Sequence, residues 1–344
     1  MRAQGDRGDK DDVAADASRR AVLALVAGGL CLALAMAASL LARTGALSTA
    51  EAWHALTGAA TSSSAHLIVW GVRLPRVLAA CACGVSLAVS GALLQAALDN
   101  DLASPQVMGI NAGAGFFALA GTLLFPFSGV ARQLMALVGA LVSTLMVYLV
   151  ARRAGAARTT LVLAGVAVSS LMSAGSNAIV TIWPKTVVDK LAFSLGGLTG
   201  ATVSQLTLSA PFMVAGLGAA LLLAPGLDLL ALGDETAIGL GLDVRRHRVV
   251  AIVCAATLAA AAVSVCGMLG FVGLMVPNLV RMAVRCGLRW GLPLCAIWGA
   301  VLLVTCDLLA RVLFFPYELP AGLLLSLLGA PFFIMLLMRR RRPR

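Results

Sequence analysis

Apolar residues along this chain come in long unbroken runs, with neither the alternation of a strand nor the narrow stripe of a surface helix. Such runs begin near Ala21, Val72, Pro105, Arg132, Thr160, Val203, Val249, Gly270, Leu292 and Pro320. A helix needs about 20 apolar residues to cross a bilayer, so the pattern predicts about ten spans. The eighth run is short and rich in glycine, and hydropathy alone leaves eight or nine spans open. The predicted fold class is all-α, a polytopic transmembrane helical bundle. Residues 21–338 are expected to form a single transmembrane domain. Residues 1–20 are expected to be a disordered cytoplasmic tail, and 339–344 a basic one.

Composition agrees with a lipid-embedded chain. Of 344 residues, 60% are hydrophobic and 12% charged, with a mean hydropathy of +0.97. A soluble domain has about 45–50% apolar and about 25% charged residues, so lipid must be part of the solvent here. The first twenty residues carry five acidic and five basic side chains and do not resemble a cleavable signal.

The net charge of +11 does not point to nucleic acid, because the arginines sit between apolar runs instead of forming a stripe. They do orient the chain. With ten spans and both termini cytoplasmic, the N-terminal tail, Arg152, Arg153, Arg158, Arg245, Arg246, Arg248, Arg281, Arg285, Arg289 and the C-terminal arginines all fall inside. Outside remain Arg43, Arg73, Arg76, Arg132, Lys185, Lys190 and Arg311.

Two connections stand apart. Residues 225–248 are the longest polar stretch on the inner side, broken by Gly233, Gly239 and Gly241, and read as two short surface helices. Residues 183–200 lie on the other side, with Trp183 as an interfacial anchor, and read as a short helix near the mouth of a pore.

Candidate chemistry is sparse. The phosphate cradle GxxxxGK[ST] is absent, and none of the three lysines follows a suitable glycine pair. The chain therefore has no ATPase site of its own. Gly113-Ala114-Gly115-Phe116-Phe117-Ala118 fits a dinucleotide fingerprint in letters only. It lies in an apolar span, where small residues serve close helix packing, as do Gly267, Gly270 and Gly273. Asp307 and Arg311 are four apart and can pair along a helix face, and Glu318 opens the tenth span. The eight cysteines read as packing residues. The three histidines are dispersed, so no metal, cofactor or catalytic residue is expected.

Several segments together resemble the iron-siderophore, haem and vitamin B12 permease family of ABC importers, the FecCD-like and vitamin B12 permease-like proteins. Residues 73–76, RLPR, look like that family's RLPR. Residues 90–105, SGALLQAALDNDLASP, are similar to SGxxxQxxxxNPLAxP, and 108–115, MGINAGAG, to LGxxxGAG. Residues 162–168 resemble LAGVAL, and 194–200 resemble GSLxG. Residues 233–242, GDETAIGLGL, are similar to GxxxAxxLGv. Residues 270–281, GFVGLMVPNLVR, look like GFVGLxxPHxxR. The segments 307–311 and 318–331 match ADxxAR and ELPxGxxtaxxGxP. The chain departs from the pattern at Asp101 (Pro in the family), Asn278 (His) and Phe193 (Trp).

The resemblance implies a half-transporter in a bacterial inner membrane. It would work as a homodimer with two ATP-binding ABC subunits and a periplasmic substrate-binding protein. The cargo would be a metal chelate, haem or a ferric siderophore ahead of cobalamin. Arg73, Arg76 and Arg311 would dock the binding protein. Residues 225–248, with Gly233, Asp234, Glu235, Ala237, Leu240 and Gly241, would couple to the ATPase. Asn100, Leu102 and Ser104 would form a cytoplasmic gate. The alternative is an ion-coupled secondary transporter or an exporter without an ATPase. The scarcity of ionisable residues within the runs weighs against it.

Overall fold

A computed structural model of the chain describes residues 2–42, 47–58, 63–154 and 158–340. Every regular element among them is helical. Eight helices are long and apolar enough to cross a membrane, and two shorter apolar ones complete ten. The long ones are α1 (Arg2–Leu41), α4 (Leu74–Leu98), α6 (Gly129–Arg153), α7 (Arg158–Ile182), α9 (Val203–Leu230), α11 (Val244–Cys266), α13 (Leu288–Val312) and α14 (Ala321–Arg340). The short ones are α5 (Ile110–Leu124) and α12 (Val272–Val284). Short α12, which follows Gly267 and Gly270, is thus the eighth span that hydropathy left open. Four small helices lie between the spans: α2 (Thr49–Thr57), α3 (Ser63–Ile68), α8 (Val187–Leu195) and α10 (Asp234–Gly239). A π-helical turn, Val69–Arg73, joins α3 to α4.

Helix α1 begins at Arg2 and runs unbroken into the first span. No proline interrupts residues 2–41, and the apolar turns downstream supply a nucleus from which helix can extend. The connection 225–248 holds one short helix instead of two. Residues 225–230 complete α9, which carries Pro225 within it, and Val244 already opens α11. Only α10 is left between them. It is bracketed by Gly233 at φ +104° and Gly241 at φ +85°, backbone that glycine adopts without strain. Arg43 and residues 341–344 lie outside the described residues.

The core is built around α4 and α11, the most enclosed spans, while α1 is the most exposed. Helix α4 packs on α13, α11 and α12, and α5 packs on α6. Small residues set these approaches, because apolar side chains gain little by leaving lipid and close van der Waals packing takes over. A Cβ on Gly91 would stand 1.8 Å from Gly273 O, and one on Gly84 would stand 2.4 Å from Gly299 O. Gly113 and Gly139 play the same part between α5 and α6, where either Cβ would stand within 2.5 Å of the other's carbonyl oxygen. The GxGxxA letters are therefore helix packing. Of the glycines at 267, 270 and 273, Gly273 makes the close approach to α4, and Gly267 one to the backbone of Phe193. Gly267, at φ +68°, ends α11.

Candidate functional site

The chain's polar chemistry gathers at the two ends of the bundle. At one end lies a charge cluster built from α1, α4 and α13. Arg76, at the start of α4, donates from Nε to both carboxylate oxygens of Asp307, at 3.0 and 3.1 Å. Its Nη1 reaches Glu318 Oε2 at 2.8 Å. Arg311 approaches the other side of Asp307 at 3.3 Å and donates to Ser39 Oγ of α1. Arg73 donates to Leu40 O at 2.7 Å.

The resemblance implies that these three arginines face a partner. Within the chain each is buried, with relative exposures of 4% for Arg73, 6% for Arg76 and 3% for Arg311, and each has partners there. The pairing of Arg311 with Asp307 is the one their spacing allowed. The pairing of Arg76 with Asp307 and Glu318 needed the fold. The physical reason is desolvation: a guanidinium withdrawn from water at a span's end is costly unless carboxylates or carbonyls meet it.

At the same end, α8 occupies the connection where a short helix is expected. Phe193 O accepts from Met268 N at 2.9 Å. The Phe193 ring stands over Gly115.

The other end holds the predicted gate and coupling residues. Helix α4 closes there with Asp99 in the left-handed conformation, at φ 45°. Asp99 N donates to Ala96 O at 3.3 Å and Asn100 N to Gln95 O at 3.0 Å, a Schellman closure. Asn100 Oδ1 then accepts from Leu102 N at 3.0 Å, an Asx turn. Asn100 O accepts from Ala103 N at 3.0 Å. Asn100 therefore shapes the loop, Leu102 is half-buried on it, and Ser104 is buried.

Helix α12 holds this loop from the side. Arg281 Nη1 lies 2.7 Å from Asp101 Oδ1. Its Nη2 donates to Gln95 Oε1. Asn278 Nδ2 donates to Asp101 O at 3.0 Å. Gln95 Nε2 is 3.3 Å from Gly273 O.

The residues of α10 and its flanks lie close by. Ala237 is fully buried, whereas Glu235, Ile238 and Leu240 are exposed. Arg248 Nη2 binds Asp234 Oδ1 at 2.9 Å, and Arg248 Nε binds Ala97 O at 2.8 Å. A cavity of about 500 Å³ opens beside α10, lined in part by Tyr148, Arg152, Ile238, Leu242 and Arg245. The fold thus brings Asp234 and the 99–104 loop to one end of the bundle. Arg248 holds Asp234 and Arg281 holds the loop; Arg281 closes the segment 270–281 quoted above, whereas Arg248 was visible in the sequence only as inward-facing positive charge.

A ten-span helical bundle with glycine-packed spans, a short helix laid across one end and charged clasps on its loops defines a polytopic transport permease. The chain belongs to the FecCD transport family, which matches residues 31–339. It is 39% identical over 279 residues to a Bacillus subtilis Fe(3+)-citrate import system permease protein, covering 81% of this chain and 84% of that one. It is 36% identical over 327 residues to the Yersinia pestis hemin transport system permease protein, covering 93% and 97%. A chain of a solved structure, described as an inward-facing metal-chelate-type ABC transporter, superposes with a TM-score of 0.80 at 26% identity. That match covers 92% of this chain and 98% of the other.

Proposed function

We propose that two copies of this chain form the pore of a binding-protein-dependent ABC importer in a bacterial inner membrane, with both termini in the cytoplasm. The cargo is an iron chelate, ferric siderophore, ferric citrate or haem, and ATP hydrolysis occurs on two separate subunits. The observation that carries this reading is the family match, which runs from the first span to the end of the last. The names of the relatives supply the cargo class. The sequence has no phosphate cradle, so the ATP site belongs elsewhere.

In this reading the face carrying α10 is cytoplasmic. Ile238 and Leu240 present an apolar surface, and the cavity beside them has a basic rim. That combination suits an ATPase groove with acidic borders. Asn100, Leu102 and Ser104 form the gate, with Leu102 closing against its copy. The opposite face receives the binding protein. Its cluster sets Arg73, Arg76 and Arg311 against two carboxylates, Asp307 and Glu318, and so keeps a positive balance. Such a balance steers an acidic surface by its field.

The test is reconstitution with the neighbouring ATPase and binding protein in proteoliposomes. Uptake of 55Fe-citrate, 55Fe-hydroxamate or haemin that requires ATP and the binding protein supports the reading. Uptake that follows an ion gradient without any ATPase replaces it with the secondary transporter.

A further inference from the structure

The last carbonyls of a helix have no partner within it and must find one elsewhere. At the end of α4 the Schellman closure satisfies Gln95 O and Ala96 O. Ala97 O is met from outside the helix, by Arg248 Nε at 2.8 Å. The same guanidinium holds Asp234, the first residue of α10, at 2.9 and 3.2 Å.

One planar group therefore joins three parts of the molecule: α11, which bears it; α10; and the last turn of α4. The loop 99–104 starts two residues beyond Ala97. A guanidinium suits this junction because its donors are fixed in one rigid fork, and its charge complements the carbonyl end of α4. If α10 shifts, Asp234 draws on the group that caps α4, and the turn that launches the loop must shift or lose its cap. Arg281 holds the same turn from α12 through Gln95, so the end of α4 is clasped from both sides.

We infer that Arg248 is a positioning residue that transmits movement of α10 to the 99–104 loop by holding Asp234 and Ala97 O at once. This rests on the reading above, in which α10 meets the ATPase and the loop is the gate.

The test uses the complete transporter in proteoliposomes, supplied with whichever of 55Fe-citrate, 55Fe-hydroxamate and haemin the unmodified protein accumulates. The readout is cargo taken up per ATP hydrolysed. Arg248→Gln is expected to lower this ratio by about tenfold while ATP is still hydrolysed. Arg248→Lys has a single amine for two acceptors and is expected to fall between the two. It decides the question by the same ratio if the Gln variant fails to assemble. The exchange of Asp234→Arg with Arg248→Asp restores an ion pair but offers no donor to Ala97 O, so it is expected to stay uncoupled.

An unchanged ratio in the single variants overturns the inference. So does recovery in the exchanged pair, which would reduce the contact to a simple salt bridge. The importer reading fails separately, and the relay with it, if the unmodified transporter shows no ATP-driven uptake at all.

Discussion

The carboxylate of Asp101 lies 2.7 Å from Nη1 of Arg281, although 180 residues separate them in the chain. Asn278, one turn before Arg281, donates to the backbone oxygen of the same aspartate at 3.0 Å. Asp101 and Asn278 are both positions at which the chain departs from the motifs it resembles, and in the folded protein the two departures touch. The family's Pro and His would supply neither this carboxylate nor this amide. The loop 99–104 is therefore tied to α12 at two of the positions where the chain departs from those motifs.

The ion pair itself is weak. Its side chains are 46% and 44% exposed, and pairs so open to solvent contribute about 0.2–1 kcal/mol. Asp101→Ala is expected to cost no more than about 1 kcal/mol. Arg281→Ala is expected to cost about 1 kcal/mol more, because Gln95 Oε1 then loses its donor in a partly enclosed place. Denaturant unfolding of the detergent-solubilised variants measures both. Equal losses would show that the Gln95 contact adds nothing.

The cluster at the opposite end predicts a larger effect. Asp307 is 1% exposed and shared by Arg76 and Arg311. Its removal leaves two guanidinium groups enclosed without their common anion. Asp307→Ala is expected to destabilise by about 3–5 kcal/mol, the range for breaking a buried pair from one side. Asp307→Leu combined with Arg311→Met is expected to lose less than Asp307→Ala alone, since it leaves fewer uncompensated charges. Thermal unfolding in detergent checks the order, and a double variant worse than the single would argue against charge burial as the cause.

How far the sequence revealed this molecule depends on the range of each signal. Span number was legible because a bilayer imposes a length that any apolar run must meet, and even the ambiguity at α12 was visible in the shortness of its run and the glycines just before it. The pair Asp307–Arg311 was legible because four residues place both on one helix face. The residues that join the clusters were not. Arg76 reaches Asp307 across 231 positions, and Arg248 reaches Ala97 O across 151. No periodicity records such distances. The connection 225–248 was only partly legible: its glycines mark the ends of α10, but residues 225–230 continue α9, which carries Pro225 within it, as helices in lipid can.

Glycine positions give a prediction that needs no functional assumption. A methyl on Gly91 would be driven to 1.8 Å from Gly273 O, a backbone atom that cannot swing aside. Gly91→Ala is expected to cost about 1–3 kcal/mol or more through overpacking, and to lower the yield of folded protein. Gly218, in α9, has nothing within 4 Å of its added Cβ. Gly218→Ala is expected to be neutral or to stabilise by up to about 1 kcal/mol through helix propensity. Melting temperatures of the two variants in one detergent test the contrast. Similar values would mean that α4 and α12 can separate at little cost.

The surface of α10 supplies the prediction tied most directly to transport. Ala237 faces inward and is fully buried, while Ile238 and Leu240 are 62% and 60% exposed. Helix α10 lies in the connection between α9 and α11. In the importer proposed above, the partner that covers these two apolar side chains is the ATPase. Ile238→Glu and Leu240→Glu are expected to leave the fold intact, since neither side chain is packed inside. Each should weaken ATPase association by at least about tenfold, the effect of placing one unpaired charge in an apolar contact worth about 1.4 kcal/mol or more. Co-purification of a tagged ATPase from membranes measures the loss, with a monodisperse gel-filtration peak as the control for folding. If full ATPase recovery accompanies either variant, α10 is not where the subunit docks, and the cavity beside it must serve something else. If recovery falls for both while Glu235→Gln has no effect, the contact is carried by the apolar pair.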